Sequence, residues 1–145
     1  MKPYRKVLVA VDLSNESTAV IKRALDVCDQ QSDIIHLLHV VEPVAAAYPI
    51  DAYAINVTRL QEEALQIASE RLTETAEAHG LLADNVHTAT GPAAAEIRNK
   101  ADALGCDLIV IGSHGNAGWK LLLGATANKV LHGANCDVLT VRVGN

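Results

Sequence analysis

The chain has 145 residues, half of them apolar, and a net charge of −5 from 12 basic and 17 acidic side chains. That length predicts one domain, residues 1–145, able to bury a core without disulfide staples. The acidic balance excludes a basic nucleic-acid footprint, the apolar fraction argues against disorder, and no apolar run approaches the ~18 residues of a membrane span.

The N-terminal stretch MKPYRKVLVAVD sets basic residues before a short apolar run. Asp12 interrupts that run and no small-residue cleavage site follows, so residues 6–11 read as a first strand and not as a signal peptide. Leu13, Ser14 and Asn15 then offer capping side chains for a helix over 16–30, whose Val20, Ala24, Val27 and Cys28 share one face. Residues 34–41 (IIHLLHVV) are continuously apolar and β-branched, as in a strand buried on both faces. Residues 42–54, with Pro43, Tyr48, Pro49 and Tyr53, lack a pattern and read as a surface loop. A long helix is predicted over 56–79 from Val57, Leu60, Ala64, Ile67, Ala68 and Leu72, with Glu62, Glu63, Glu70, Arg71, Glu74 and Glu77 on the solvated side and Gly80 as its stop.

A short strand follows at 85–89, with Val86 as its core residue. Gly91-Pro92 starts a helix with proline at its first position, Ile97, Ala101 and Leu104 on one face, and Gly105 at its end. Residues 107–111 (DLIVI) form another buried strand, 126–133 a last helix and 137–143 a last strand. This alternation, without a hairpin signal, implies a mostly parallel sheet covered by helices on both faces. Ligands of such sheets sit beyond the carboxyl ends of the strands, where strand order reverses.

Residues 112–126, GSHGNAGWKLLLGAT, carry the main chemical signal. Glycines between a buried strand and a helix let the backbone approach a phosphate, and backbone N–H groups with the helix N-terminus supply positive potential. The same glycines also serve a tight structural loop. The run is neither a Walker A motif nor G-x-G-x-x-G. His114 lies within it, and Trp119 reads as packing beneath the loop. Asp12, at the end of the first strand, either faces the ligand crevice, accepting from a ribose hydroxyl or helping to hold Mg²⁺, or caps the following helix.

The six histidines make no metal site: His36 and His39 point to opposite faces of a strand, and His132 sits at a helix C-terminus. The three cysteines, Cys28, Cys106 and Cys136, form neither a C-x-x-C pair nor a zinc spacing, and read as reduced, mostly buried thiols of a cytosolic protein. No G-x-S-x-G elbow, acidic pair after the first strand, flavin phosphate loop or S-G-G-x-D-S segment is present.

VLVAVDLS, LLHVVEP, GPAAAEI, DLIVIGSHG and LLLGATANKVLHGANCDVLTVRV together resemble the universal stress proteins, above all their UspA branch, over essentially the whole chain. The resemblance implies a Rossmann-like fold with strand order 3-2-1-4-5, in which the first and fourth strands are neighbours and Asp12 lies beside Gly112. It implies a cytoplasmic homodimer paired through the last strand, 137–143, and an unidentified protein partner, with no nucleic acid and no membrane. An apolar edge strand of this kind invites a partner on physical grounds as well.

ATP-binding members of that family carry G-x2-G-x9-G-[S/T], with the counterpart of Asp12 near the ribose and that of Val40 near the adenine. Gly112 and Gly115 match, but eight residues separate Gly115 from Gly124, and Ala125 stands where the hydroxyl belongs. Thr126 offers a hydroxyl one position later, from another side of the helix. One missing residue shifts the last glycine by up to ~3.5 Å, and a lost charge-assisted hydrogen bond costs ~1.5–3 kcal/mol. The expectation is therefore a non-catalytic, homodimeric stress-response factor acting through protein contacts. The alternative is a switch that binds ATP, with Mg, through Asp12, Val40, Gly112, His114, Gly115, Gly124 and Thr126. No general base or arginine finger stands out, so hydrolysis would at most be slow.

Overall fold

A computed structural model describes residues 3–43, 50–113 and 125–143, with side chains described from 57 onward in the second stretch. Strand β1 (Val7–Ala10) is buried at every position, because it lies in the middle of the sheet and is covered on both faces. Helix α1 (Ser17–Val27) follows, then β2 (Ile35–Val41), α2 (Ile50–Ala78), β3 (Val86–Thr90), α3 (Ala93–Leu104), β4 (Leu108–Gly112), α4 (Ala125–Gly133) and β5 (Asp137–Val141). All four strand pairs are parallel and the order is β3-β2-β1-β4-β5. This is the Rossmann-like α/β sheet that the alternation and the resemblance implied.

The period-2 alternation of each strand feeds two cores. Val7, Val9, Ile35, Leu37, Leu108 and Val110 meet Val20, Ile21 and Ala24 of α1 and Leu72 and Ala76 of α2. Leu8, Ala10, Leu38, Ile109 and Ile111 meet Ala94, Ile97 and Ala101 of α3 and Ala127 and Val130 of α4. Full burial of side chains such as Ile21 and Leu72 contributes about 1.5–3 kcal/mol each.

Two helices end in the same device. Gly80 and Gly105 both take φ +72°, and the residues after them, Leu81 and Cys106, donate their N–H groups to Ala76 and Ala101 at 2.9 Å. These are Schellman caps, and in each the residue after the glycine is buried against its helix.

Several boundaries differ from expectation. Helix α2 begins at Ile50, inside the stretch read as a loop over 42–54; of that loop, 44–49 lies outside the described residues. Helix α1 stops at Val27, not 30, because Asp29 and Gln30 turn to positive φ (52° and 62°) without a glycine. Val27 is 39% exposed, and Ile21 takes its place on the buried face. On α2, Leu60 and Ile67 are exposed, and the buried face runs through Ala68, Leu72 and Ala76 instead. Pro92 caps α3 in an extended conformation instead of opening it, β3 runs one residue later than expected, and β5 ends at Val141.

Candidate functional site

At the carboxyl ends of β1, β2 and β4, where strand order reverses, a cavity of about 650 Å³ opens. Asp12 comes from the β1 end, Val40 from β2, Gly112 from β4 and Thr126 from the first turn of α4, and all four line this cavity. Three further expected residues, His114, Gly115 and Gly124, lie outside the described residues, as does Trp119. The volume is within the ~300–1,000 Å³ of small-molecule sites.

The β1–α1 loop is tightly organised around Asp12. Asp12 Oδ1 accepts from the Ser14 N–H at 2.9 Å, from the Ser14 hydroxyl at 2.6 Å and, more weakly, from the Ser17 hydroxyl at 3.5 Å. The Ser14 hydroxyl oxygen accepts in turn from the Glu16 N–H at 3.2 Å. The start of α1 is thus secured through Asp12 and Ser14, while its N-cap, Glu16, makes no side-chain cap bond. Leu13 sits between them at φ +62°, a left-handed conformation unfavourable for a branched side chain.

His39, which was not among the expected residues, also lines the cavity. Its Nδ1 lies 2.8 Å from the Val11 carbonyl oxygen. A carbonyl only accepts, so Nδ1 carries a proton and Nε2 is the acceptor of the neutral ring. Its place at the carboxyl end of β2, next to Val40, was the signal that could have found it. Glu16 lines the same wall, with Oε2 buried and without a partner among the described residues.

The walls divide by chemistry. Val11, Val20, Leu38, Val40, Ile97 and Ile111 are apolar and suit a flat ring. Asp12, Glu16, Glu42 and His39 offer acceptors, which suit hydroxyl or amino groups. The first residues of α3 and α4, Ala93 and Ala125, bring helix N-termini to the rim, where the backbone favours anions. Among the described lining residues there is no lysine or arginine. Backbone N–H groups, or a divalent cation held by a carboxylate, are what the described lining offers a polyphosphate, and Asp12 keeps one oxygen, Oδ2, outside its loop bonds.

Gly112 serves the fold as well as the rim. A Cβ built on it would stand 3.2 Å from Val20 Cγ2 and 3.5 Å from Val143 Cγ2, so its missing side chain makes room for the core. The adjacent Ser113 is buried, its N–H donates to the Val141 carbonyl at 2.8 Å, and its hydroxyl has no partner among the described residues. Elsewhere, His36 and His87 stack with centroids 5.2 Å apart and share a hydrogen bond of 2.9 Å between Nδ1 and Nε2. Among the described residues no group of three or more His, Cys, Asp or Glu is placed to hold a metal ion, and no helix is long and apolar enough to cross a membrane.

Comparison with known proteins gives a consistent picture. The model of the universal stress protein family matches residues 3–142. Universal stress protein A homolog 2 of Coxiella burnetii is 37% identical, over 99% of this chain and 98% of its own. Among solved structures, the universal stress protein UspA from Lactobacillus plantarum superposes with a TM-score of 0.81 at 22% identity, covering 98% of this chain and 100% of that one. A universal stress protein solved in complex with cAMP superposes with a TM-score of 0.60 at 24% identity, covering 97% and 98%.

Proposed function

The chain belongs to the universal stress protein family, and from that premise we propose that it is a non-catalytic, cytoplasmic stress-response factor, dimeric through β5, whose state is set by an adenine nucleotide bound at the switch-point cavity. One observation carries the ligand: Asp12, Val40, Gly112 and Thr126, from four separate elements, converge on one cavity of about 650 Å³. The apolar wall around Val40 takes the base, and the acceptors Asp12 and His39 take sugar hydroxyls. The N-termini of α3 and α4 meet phosphate. A relative of the same fold was solved with cAMP, a ligand with the same three parts.

Magnesium fits the acidic wall. Asp12 and Glu16 are the carboxylates that would hold it, and it would supply the positive charge that the described lining lacks. Among the described lining residues, no aligned pair of base and cationic side chain surrounds a phosphate position, which favours binding over turnover.

A second reading, protein contacts without nucleotide, draws on the eight-residue spacing between Gly115 and Gly124 and on Ala125 at the position of the hydroxyl. Titration calorimetry of the nucleotide-free protein with Mg-ATP, AMP and cAMP separates the two. Micromolar affinity for any of them, weakened at least ~10-fold by Val40→Glu, supports the nucleotide switch. Absence of binding at millimolar concentration of all three overturns it and leaves the contact-only reading.

A further inference from the structure

We propose that Cys106 and Cys136 form an intramolecular disulfide when the protein meets a hydroperoxide, so that the amino ends of β4 and β5, at the opposite edge of the sheet from the cavity, are a modification site.

Three features place the two residues side by side. Cys106 follows Gly105 in the Schellman cap of α3, where its N–H bonds Ala101 and its side chain turns into the core. Asn135 Nδ2 donates to Asp102 at 3.2 Å, which ties the connection just before Cys136 to the same last turn of α3. Strands β4 and β5 run parallel with Leu108 across from Asp137. Carried back one residue, that register sets Asp107 across from Cys136, with Cys106 one step further along. Cys106 sits in the cap ahead of β4, and its side chain joins the same core cluster as Cys136; a bridge between them needs Cα atoms ~4.4–6.8 Å apart.

Both side chains pack on the cluster formed by Ala101, Ile109 and Val130. Cys28 belongs to the cluster on the other face of the sheet, which separates it from the pair. Cys136 is half-buried while Cys106 is buried, so Cys136 meets the oxidant first.

The chemistry balances without a cofactor. The Cys136 thiolate attacks one peroxide oxygen; the O–O bond breaks, the leaving oxygen takes a proton, and a sulfenic acid remains. The Cys106 sulfur then attacks that sulfur. The S–S bond forms, the S–O bond breaks, and water leaves with the Cys106 proton. Two thiols are oxidised and one hydroperoxide is reduced to water and, for an organic peroxide, an alcohol. Burial pushes the Cys106 thiol up to about 11 and raises Cys136 as well, which makes this a slow, stoichiometric oxidation and not a rapid peroxidase cycle. The bond would close the segment 106–136, which carries Gly112 and Thr126 of the cavity rim.

The test is stoichiometric hydrogen peroxide on the reduced full-length protein, followed by intact mass, thiol counting and peptide mapping. The expected result is a mass loss of about 2 Da, one titratable thiol left of three, and a Cys106–Cys136 linked peptide, together with a raised melting temperature. Cys28→Ser should behave the same way, and Cys136→Ser should show no mass loss. Mapping the wild-type protein needs no variant to fold. Mass gains of oxygen alone, cross-linked dimers, or a bridge that includes Cys28 would overturn the proposal.

Discussion

Arg71 of α2 donates from Nη2 to the Leu13 carbonyl oxygen at 2.9 Å, across 58 residues of sequence. Leu13 is the residue held at φ +62°, between Asp12, which lines the cavity, and Ser14, which bonds it. The long helix therefore fixes the loop that the cavity depends on. Leu13 itself packs partly on the first core, so the strained turn is held from two sides, by an apolar contact and by a cation.

Arg71→Met should release that hold. Arg71 is exposed, so the stability cost is modest, about 0.5–1.5 kcal/mol for one hydrogen bond. The larger effect is local. Amide hydrogen exchange at Ser14 and Ser17 should accelerate relative to the sheet, and Arg71→Lys should restore part of the protection. Unchanged exchange in Arg71→Met would show that the Leu13 side chain alone holds the turn.

The His36–His87 pair predicts an acid-sensitive fold. Desolvation first, then mutual repulsion and Lys6, hold His36 below its ordinary pKa, while desolvation and then Lys100 lower His87. The unfolded chain thus takes up protons at higher pH than the folded one. The stability that the neutral pair contributes is whole above the unfolded value near ~6.5 and is lost as pH falls through the folded values. Urea unfolding at pH 7.5 and 5.5 should show a smaller loss of midpoint in His36→Gln/His87→Gln than in the wild type. An equal loss in both would remove the pair as the cause.

Much of this was legible from residues alone. The parallel sheet follows from VLVAV, IIHLLHVV and DLIVI alternating with helical stretches, and Gly80 and Gly105 mark helix ends that the structure shows at φ +72°. Strand order did not follow from periodicity, which is blind to which strands neighbour each other; it came through the resemblance. The lining of the cavity was legible in part. Asp12, Val40, Gly112 and Thr126 meet at one cavity, but His39 and Glu16 were missed, because a histidine in an apolar run and a glutamate in a capping stretch each have an ordinary local explanation. The pairing of Cys106 with Cys136 was invisible for a similar reason: their separation in sequence says nothing about the register of β4 and β5.

Gly112 separates packing from ligand contact. Its missing Cβ faces Val20 and Val143, so Gly112→Ala asks those side chains to give by a few tenths of an ångström. We expect a cost of about 1 kcal/mol and nucleotide affinity within about threefold of the wild type. Gly112→Val adds two methyl groups against the same neighbours and should cost about 1–3 kcal/mol or more. Thermal unfolding with parallel calorimetric titration checks both. If Gly112→Ala kept full stability but lost nucleotide, the glycine would be needed for close approach of the ligand instead.

Among the described residues, strand β5 bonds only β4, so its outer edge, Asp137–Val141, carries N–H and C=O groups without a described strand partner. Its side chains alternate between the two cores, with Leu139 and Val141 partly packed on one and Val138 on the other. A second copy pairing along that edge would continue the sheet and cover both half-buried rows at once. Val141→Lys tests this directly, because a two-fold interface receives every substitution twice and so gains two cations. Sedimentation should show the variant as a monomer at concentrations where the wild type is a dimer. Far-ultraviolet dichroism and the melting curve report whether the lost contact of Val141 with the core has cost the fold as well. A folded variant that still sediments as a dimer would move the interface away from β5.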